Sequence, residues 1–272
     1  MRLLVFGTSG DAVDVGVPGG TAAELLASAI AEELRTTVET RIVFAWATGD
    51  MVAYAMPILN DFQPAIVVVH VNSGFSSPAY LAFRAQRLFG GRLYRPYVAL
   101  RSSLARFGLL HYNYGASGTN EPPCGPERLG AYAQAAGRRV FSAARDSLIA
   151  LGTGLPWVEV DVVSRRYAEL INALARRPGT ALVVRGPTWR ADYLQIPRAR
   201  RALEERCEAL ERLLEAACRA RAVPFYSMLR LTAHDRMRYL LPDLIHANAE
   251  GQALMAAEEA RLLRPMLDAE YT

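Results

Sequence analysis

Short runs of apolar, β-branched residues alternate along this chain with longer segments that repeat apolar residues at helical spacing. This alternation is typical of α/β proteins, in which helices join parallel strands and pack on both faces of the sheet. It predicts an α/β fold with a central, mostly parallel five-stranded sheet. The predicted strands are Leu3–Phe6, Arg41–Ala45, Ala65–Val71, Ala181–Arg185 and Val223–Ser227.

The segments between these strands carry apolar residues three and four positions apart, as Leu26, Ile30 and Leu34 do in the first one. Asn248 precedes the last such segment and is a favoured N-cap, because its side chain accepts hydrogen bonds from free backbone amides. The predicted helices span Thr21–Leu34, Met51–Leu59, Arg165–Arg176, Arg200–Arg221 and Glu250–Leu267.

One stretch, residues 90–135, does not follow this pattern. It holds several tyrosines and glycines and the pair Pro122-Pro123, and it comes after the third predicted strand. A chain of 272 residues is long enough to form one large domain with a substantial core. We therefore expect a single domain over residues 1–272, with a lid or insertion at about 90–135.

The chain contains no lysine, so all 31 of its basic residues are arginines. Without a side-chain amine there is no Schiff-base nucleophile, no pyridoxal anchor and no Walker-type phosphate lysine. The net charge of +4 is small for this length, and the basic stretch 198–201 is followed at once by glutamates at helical spacing. We expect no nucleic-acid partner.

The cysteines and histidines form no disulfide or metal-site pattern. Cys207 and Cys218 lie on one predicted helix, about 16 Å apart along its axis, which is too far for a disulfide. No apolar run approaches the roughly 20 residues of a membrane span, and residues 1–7 lack the pattern of a secretory signal. We expect a cytoplasmic protein with no metal, no cofactor and no membrane partner.

Small and polar residues follow the first three predicted strands. Ser9 comes after the first, Gly49 after the second, and Asn72 ends the third. Because the loops that follow parallel strands meet at one edge of the sheet, these residues are expected at a common rim. A hydroxyl, a glycine amide and a carboxamide there would supply a nucleophile and two oxyanion donors.

A base for such a nucleophile is offered near the C-terminus by Asp243 and His246, three residues apart and just before the last predicted helix. The carboxylate would orient the imidazole, which would then take the serine proton. The separated blocks are Ser9, Gly49, Asn72 and Asp243-x-x-His246-x-Asn248-x-x-Gly251. In their order and wide separation they resemble the SGNH hydrolases, also called GDSL-type esterases and lipases, over residues 3 to about 265.

The resemblance implies a three-layer α/β/α sandwich of SGNH or flavodoxin-like architecture and a serine esterase. Ser9 would be the nucleophile and His246 the base, oriented by Asp243. The amides of Ser9 and Gly49 and the side chain of Asn72 would form the oxyanion hole. The implied reaction is ester hydrolysis through an acyl-enzyme on Ser9. The expected cytoplasmic location favours a small ester, O-acetyl or thioester substrate over extracellular lipid.

Two of the blocks depart from the family pattern. The first is usually Gly-Asp-Ser, but here Thr8 occupies the place of the aspartate, and Asp11 comes two residues too late to replace it. The third is usually Gly-x-Asn-Asp, whereas residues 70–73 read His-Val-Asn-Ser. Both departures remove groups that support the site, so we expect them to lower the rate more than to change the chemistry.

Four further residues are candidates for substrate contact, namely His70, Tyr112, Tyr114 and Arg185. His70 also fits a hydrogen-bonded core histidine, and Arg185 also fits a surface ion pair. Three alternatives to a hydrolase stay open. They are an acyltransferase that uses the same acyl-enzyme, a diverged member with other chemistry, and a non-catalytic phosphate or nucleotide binder whose loop 7–10 holds an anion.

Overall fold

The computed structural model describes residues 1–8, 11, 20–44, 49–72, 158–187, 197–241 and 246–271. Five parallel strands form its sheet: β1 (Arg2–Gly7), β2 (Glu39–Phe44), β3 (Ile66–His70), β4 (Ala181–Arg185) and β5 (Phe225–Tyr226). Their order across the sheet is β2-β1-β3-β4-β5. The predicted five-stranded parallel sheet is therefore confirmed.

Helices in the described ranges are α1 (Ala22–Glu33), α2 (Met51–Phe62), α3 (Val160–Ala175), α4 (Pro197–Arg219), α5 (Met228–Leu231) and α6 (Ala249–Tyr271). A 3-10 turn spans Arg236–Tyr239. Side-chain caps fix where α1 and α2 begin, because free amides of a first turn need an acceptor. Thr21 accepts from the Glu24 amide, and Asp50 accepts from the Ala53 amide at 2.9 Å.

The order of the strands creates a switch point between β1 and β3. The chain steps outward from β1 to β2 and then crosses back past β1 to β3. Loops on either side of such a reversal diverge and leave a crevice at the carboxyl edge of the sheet. Phe6 pairs with Val69, and Gly7 pairs with Phe44, so β1, β2 and β3 end nearly level at this edge.

Helices cover both faces of the sheet and make a three-layer α/β/α sandwich. On β1, Leu4 and Phe6 pack into a core with α2, α3 and α4. Leu3 and Val5 pack into a second core with α1 and α6. Side chains alternate along a strand, so one apolar run fills both cores. Each of these side chains is almost fully buried, and burial of that kind contributes about 1.5–3 kcal/mol per large apolar side chain.

The observed elements differ from the predicted ones mainly at their ends. The predicted strand Val223–Ser227 shortens to the two residues of β5, because the Ser227 hydroxyl caps α5 by accepting from the Arg230 amide. The predicted helix Met51–Leu59 continues to Phe62 through Pro57. α5 and the 3-10 turn are four residues each, too short for periodicity to reveal.

The predicted lid or insertion at about 90–135 lies outside the described residues. Within the described ranges, no helix has both the length and the apolar character needed to cross a bilayer.

Candidate active site

The sequence-predicted site residues divide into those that the structure describes and those that it does not. Gly49, Asn72 and His246 are described, as are His70 and Arg185. Outside the described residues lie Ser9, Asp243, Tyr112 and Tyr114. The structure describes Thr8, directly before Ser9, at the end of β1.

Gly49 lies between β2 and α2, directly before the capping residue Asp50. Among the described residues, no protein atom lies within 4 Å of a Cβ added to Gly49, and the backbone of Gly49 is not in the left-handed region. Neither packing nor conformation therefore requires glycine here. The missing side chain leaves the backbone accessible to a molecule that approaches from outside.

Asn72 is held through its backbone by a buried tyrosine of α3. The Asn72 amide donates to the Tyr167 hydroxyl at 3.0 Å, and Tyr167 is fully buried. Burial raises the pKa of the Tyr167 phenol, so the hydroxyl stays neutral over the ordinary pH range. This bond ties the first residues after β3 to the core beneath them.

His246 precedes α6 in a short segment that is fastened at several points. It is 6% exposed, and its carbonyl accepts from the Leu241 amide at 2.7 Å. Asn248 caps α6 as predicted, with its Oδ1 accepting from the Gly251 amide at 3.0 Å. The Asn248 Nδ2 donates to the Arg238 carbonyl at 2.6 Å. The spacing between His246, Asn248 and Gly251 thus has a structural reason at the start of α6.

Gly251 completes this arrangement by allowing a close approach. A Cβ at Gly251 would lie 2.5 Å from the Tyr239 carbonyl oxygen and 3.0 Å from the Ala247 Cβ. Any side chain would push the first turn of α6 away from the 3-10 turn. The glycine of the C-terminal block is therefore required by the fold at this point.

A group of buried charged and polar side chains lies at the carboxyl ends of β1, β3, β4 and β5. We call Asp11, His70, Arg185, Tyr226 and Glu259 the buried ion cluster. Asp11 binds the His70 Nδ1 with Oδ2 and the Arg185 Nη1 with Oδ1, each at 2.6 Å. On the other side, Glu259 Oε1 accepts from Arg185 Nη2 at 2.6 Å and from the Tyr226 hydroxyl at 2.7 Å. All five residues are 5% exposed or less.

The ionisation of the cluster follows from its own contacts. Burial alone would raise the pKa of the Asp11 carboxyl, but the charges of His70 and Arg185 and the bonds from His70 and Thr8 hold it well below its usual range. Burial alone would lower the pKa of Arg185, but the charges of Glu259 and Asp11 and the hydrogen bonds to Glu259 raise it well above its usual value. Asp11 is thus an ionised carboxylate that can only accept, so His70 carries a hydrogen on Nδ1.

The Asp11 carboxylate turns back toward the end of β1 and binds Thr8. Asp11 comes too late in the sequence to occupy the place of the family aspartate, yet its carboxylate accepts from the Thr8 amide at 2.7 Å and from the Thr8 hydroxyl at 3.2 Å. A Cβ on Gly7 would lie 2.8 Å from Asp11 Oδ2. Gly7 therefore makes room for the carboxylate to fold back over the end of β1.

The structure shows what surrounds His70 and Arg185, two residues that the sequence suggested for substrate contact. His70 is 3% exposed and Arg185 is 1% exposed, and both are engaged with Asp11. Arg185 is not in a surface ion pair but in a buried one. These surroundings favour a supporting role for both residues. The buried ion pair of Arg185 could have been predicted from the sequence, because an arginine at the end of a buried strand requires a carboxylate partner.

Across the described ranges, no group of three or more histidine, cysteine, aspartate or glutamate side chains is arranged to hold a metal ion.

Comparison with known proteins gives matches in structure. No family model and no curated protein matches the sequence. The lipase/acylhydrolase from Enterococcus faecalis superimposes with a TM-score of 0.51 at 11% identity, covering 96% of this chain and 93% of that one. TesA gives 0.50 at 14% identity, covering 97% and 99%. A GDSL-like lipase candidate from Parabacteroides merdae gives 0.50 at 12% identity, covering 95% and 94%.

The fold is that of the SGNH hydrolases. The three-layer α/β/α architecture that the sequence blocks implied is therefore confirmed. Within this architecture, Thr8, Gly49 and Asn72 follow β1, β2 and β3 in the chain, and His246 lies just before α6.

Proposed function

We propose that the protein is a serine esterase that hydrolyses a small ester, O-acetyl or thioester substrate through an acyl-enzyme on Ser9. The observation that carries this proposal is the sheet order, in which Thr8, Gly49 and Asn72 follow adjacent strands at the carboxyl edge. Ser9 directly follows Thr8 in the chain. A switch point is where open α/β sheets bind their ligands.

The proposed reaction uses only side chains and backbone amides. His246, oriented by Asp243, takes the Ser9 proton as Oγ forms a bond to the acyl carbon. The amides of Ser9 and Gly49 and the Asn72 side chain stabilise the oxyanion. The bond to the leaving group then breaks, and His246 gives its proton to the departing alcohol or thiol. Water repeats the sequence and releases the acid, so no cofactor is required.

The open space at Gly49 supports its proposed place in the oxyanion hole. A substrate can approach a backbone amide more closely where no side chain covers the backbone. Among the described residues, no protein atom lies where a side chain of Gly49 would stand, whereas the surroundings of Gly7, Gly186 and Gly251 exclude a side chain.

Asp11 argues against the phosphate-binding alternative. An anion-binding loop after β1 would need free backbone amides and an electropositive setting. Here the Thr8 amide already donates to the Asp11 carboxylate, and that buried negative charge would repel a phosphate. The same carboxylate is compatible with a neutral ester. We further propose a small-molecule substrate in the cytoplasm, with neither nucleic acid nor membrane as a partner.

Covalent labelling tests the proposal directly. The wild-type protein is treated with a fluorophosphonate and analysed by intact mass, in parallel with Ser9→Ala and with Ser28→Ala, an exposed serine of α1 whose hydroxyl bonds the Glu24 carbonyl. We expect one phosphonyl adduct on the wild type and on Ser28→Ala, and none on Ser9→Ala. Ester turnover by Ser9→Ala should fall on the order of 10⁴–10⁶-fold, because triad members act as a unit.

An unlabelled wild type, or a Ser9→Ala protein that still takes up the probe, would overturn the assignment. His246→Ala should lose as much turnover as Ser9→Ala, and Asp243→Asn as much or less. Product analysis with an added alcohol or amine then separates hydrolysis from acyl transfer, since a transferase would deliver most of the acyl group to that nucleophile.

A further inference from the structure

The buried ion cluster connects parts of the chain that lie next to three of the proposed site residues, Ser9, Asn72 and His246. Asp11 belongs to the loop that contains Ser9, His70 lies two residues before Asn72, and Glu259 is on α6, which begins just after His246. We propose that Asp11 is a positioning residue that fixes the Ser9 loop relative to the end of β3, with Arg185 and Glu259 as its anchor. This inference rests on the proposed function.

Asp11 contacts two segments whose relative position matters for the proposed site, namely the residue before Ser9 and the end of β3. Its carboxylate accepts from the Thr8 amide and hydroxyl on one side and from His70 Nδ1 at the end of β3 on the other. Thr8 directly precedes Ser9. Thr8 and Asp11 therefore cannot shift relative to the end of β3 without breaking a charge-assisted hydrogen bond, and the bond between Asp11 and His70 is buried.

Arg185 binds the other carboxylate oxygen of Asp11 and connects it to α6. Its Nη1 donates to Asp11 Oδ1, while its Nε and Nη2 both donate to Glu259 Oε1, at 2.8 and 2.6 Å. The planar guanidinium thus spans from α6 to the first loop in a fixed orientation. Because Tyr226 also donates to Glu259 Oε1, the anchor is itself fixed from β5.

The cluster is not arranged as an efficient source of stability. Buried ion pairs lose hydration that their attraction often only just offsets, so apolar side chains of similar size would serve stability as well. Moreover, Glu259 Oε2 is buried and has no hydrogen-bond partner among the described residues, while Oε1 accepts three bonds. What the ions provide that apolar packing does not is a directional link between separate loops.

The test compares Asp11→Asn with Leu214→Ala, a control that weakens the opposite core at α4 and leaves the cluster intact. Both are assayed at a temperature where unfolding experiments show each to be fully folded. Asn keeps the size of Asp11 but loses its charge. We expect the kcat of Asp11→Asn to fall on the order of 100-fold and its KM to change by less than about threefold, since small misplacements of reacting groups have effects of this size. Leu214→Ala should keep wild-type kcat.

Thr8→Val is a milder second variant in case Asp11→Asn does not fold. It removes one donor to Asp11 and keeps the backbone donor, and we expect about a tenfold lower kcat from the loss of a bond to a charged group. A kcat for Asp11→Asn within about threefold of the Leu214→Ala value would overturn the inference. If Thr8→Val folds and Asp11→Asn does not, a kcat of Thr8→Val equal to that of the wild type would also overturn the inference.

Amide hydrogen exchange gives a readout that does not depend on activity. In Asp11→Asn, peptides covering residues 2–8 and 66–72 should exchange faster than the same peptides of Leu214→Ala. If the wild type neither labels with fluorophosphonate nor turns over esters, the esterase proposal fails, and exchange alone decides whether Asp11 links the two segments. Unchanged exchange at both segments would refute that link.

Discussion

Glycine occupies two positions near the candidate site for opposite reasons. At Gly251 the protein leaves no room, since a Cβ would lie 2.5 Å from the Tyr239 carbonyl oxygen. At Gly49 the described part of the chain leaves open space, since none of its atoms lies within 4 Å of an added Cβ. Alanine substitutions at these two positions therefore test separately whether glycine is needed for folding and whether it is needed for ligand binding.

We expect Gly251→Ala to lower the free energy of unfolding by about 1–3 kcal/mol, as overpacking does. Gly49→Ala should instead raise it by about 0.4–1 kcal/mol, because alanine restricts the unfolded chain at a position where its own conformation is allowed. If Gly49 is an oxyanion donor, the added methyl should nevertheless lower kcat/KM on the order of 100-fold. Urea unfolding and ester hydrolysis measure the two effects, and a fully active Gly49→Ala would remove Gly49 from the oxyanion hole.

The start of α6 is the element on which the C-terminal block depends. Asn248 accepts from the Gly251 amide and donates to the Arg238 and Leu240 carbonyls, so one side chain joins the helix to the segment before it. His246 lies in that segment, and its carbonyl is bonded to the Leu241 amide. The cap therefore influences the orientation of the proposed base as well as the stability of the helix.

Asn248→Ala should lower the free energy of unfolding by about 1–2 kcal/mol, the range found for lost N-caps. Ser28→Ala is the matched control, because its hydroxyl bonds a carbonyl of its own helix and its loss should change stability by less than about 0.5 kcal/mol. Chemical denaturation of both variants measures this. Equal midpoints for the two would contradict a capping role for Asn248.

At the scale of the whole molecule, the buried ion cluster makes stability depend on pH. The pKa of Asp11 is lowered on folding, so the unfolded chain binds its proton first as the pH falls. Asp11 therefore stabilises the fold above its unfolded pKa of about 3.9, and this contribution is lost as the pH falls toward the lower pKa of the folded state. His70 and Arg185 are the titratable side chains that contact it.

Urea midpoints measured between pH 7 and pH 3 should therefore fall steeply for the wild type and less steeply for Asp11→Asn, which has no carboxyl to titrate at this position. The two curves should converge toward the acid end. Parallel curves over the whole range would show that Asp11 does not contribute to the acid sensitivity.

The architecture was predictable because it depends on local periodicity, whereas the cluster was not. Runs such as Ala181–Arg185 indicate strands from their composition alone, and their alternation with helical segments predicts the parallel sheet. Asp11, His70, Arg185 and Glu259 instead meet across 59, 115 and 74 positions of chain. No spacing rule connects residues so far apart, so the role of Asp11 became visible only in three dimensions. Asn248 could be predicted because a cap is a local feature.

The link from Arg185 to Glu259 has a consequence for the order in which the chain acquires its structure during synthesis. A ribosome completes β4 long before α6 emerges, so Arg185 is available for burial while its second carboxylate is still untranslated. Burying a guanidinium with only part of its counter-charge is unfavourable. We therefore expect nascent chains arrested before Glu259 to keep the β4 end solvated and sensitive to protease, and chains extended beyond α6 to become resistant in one step.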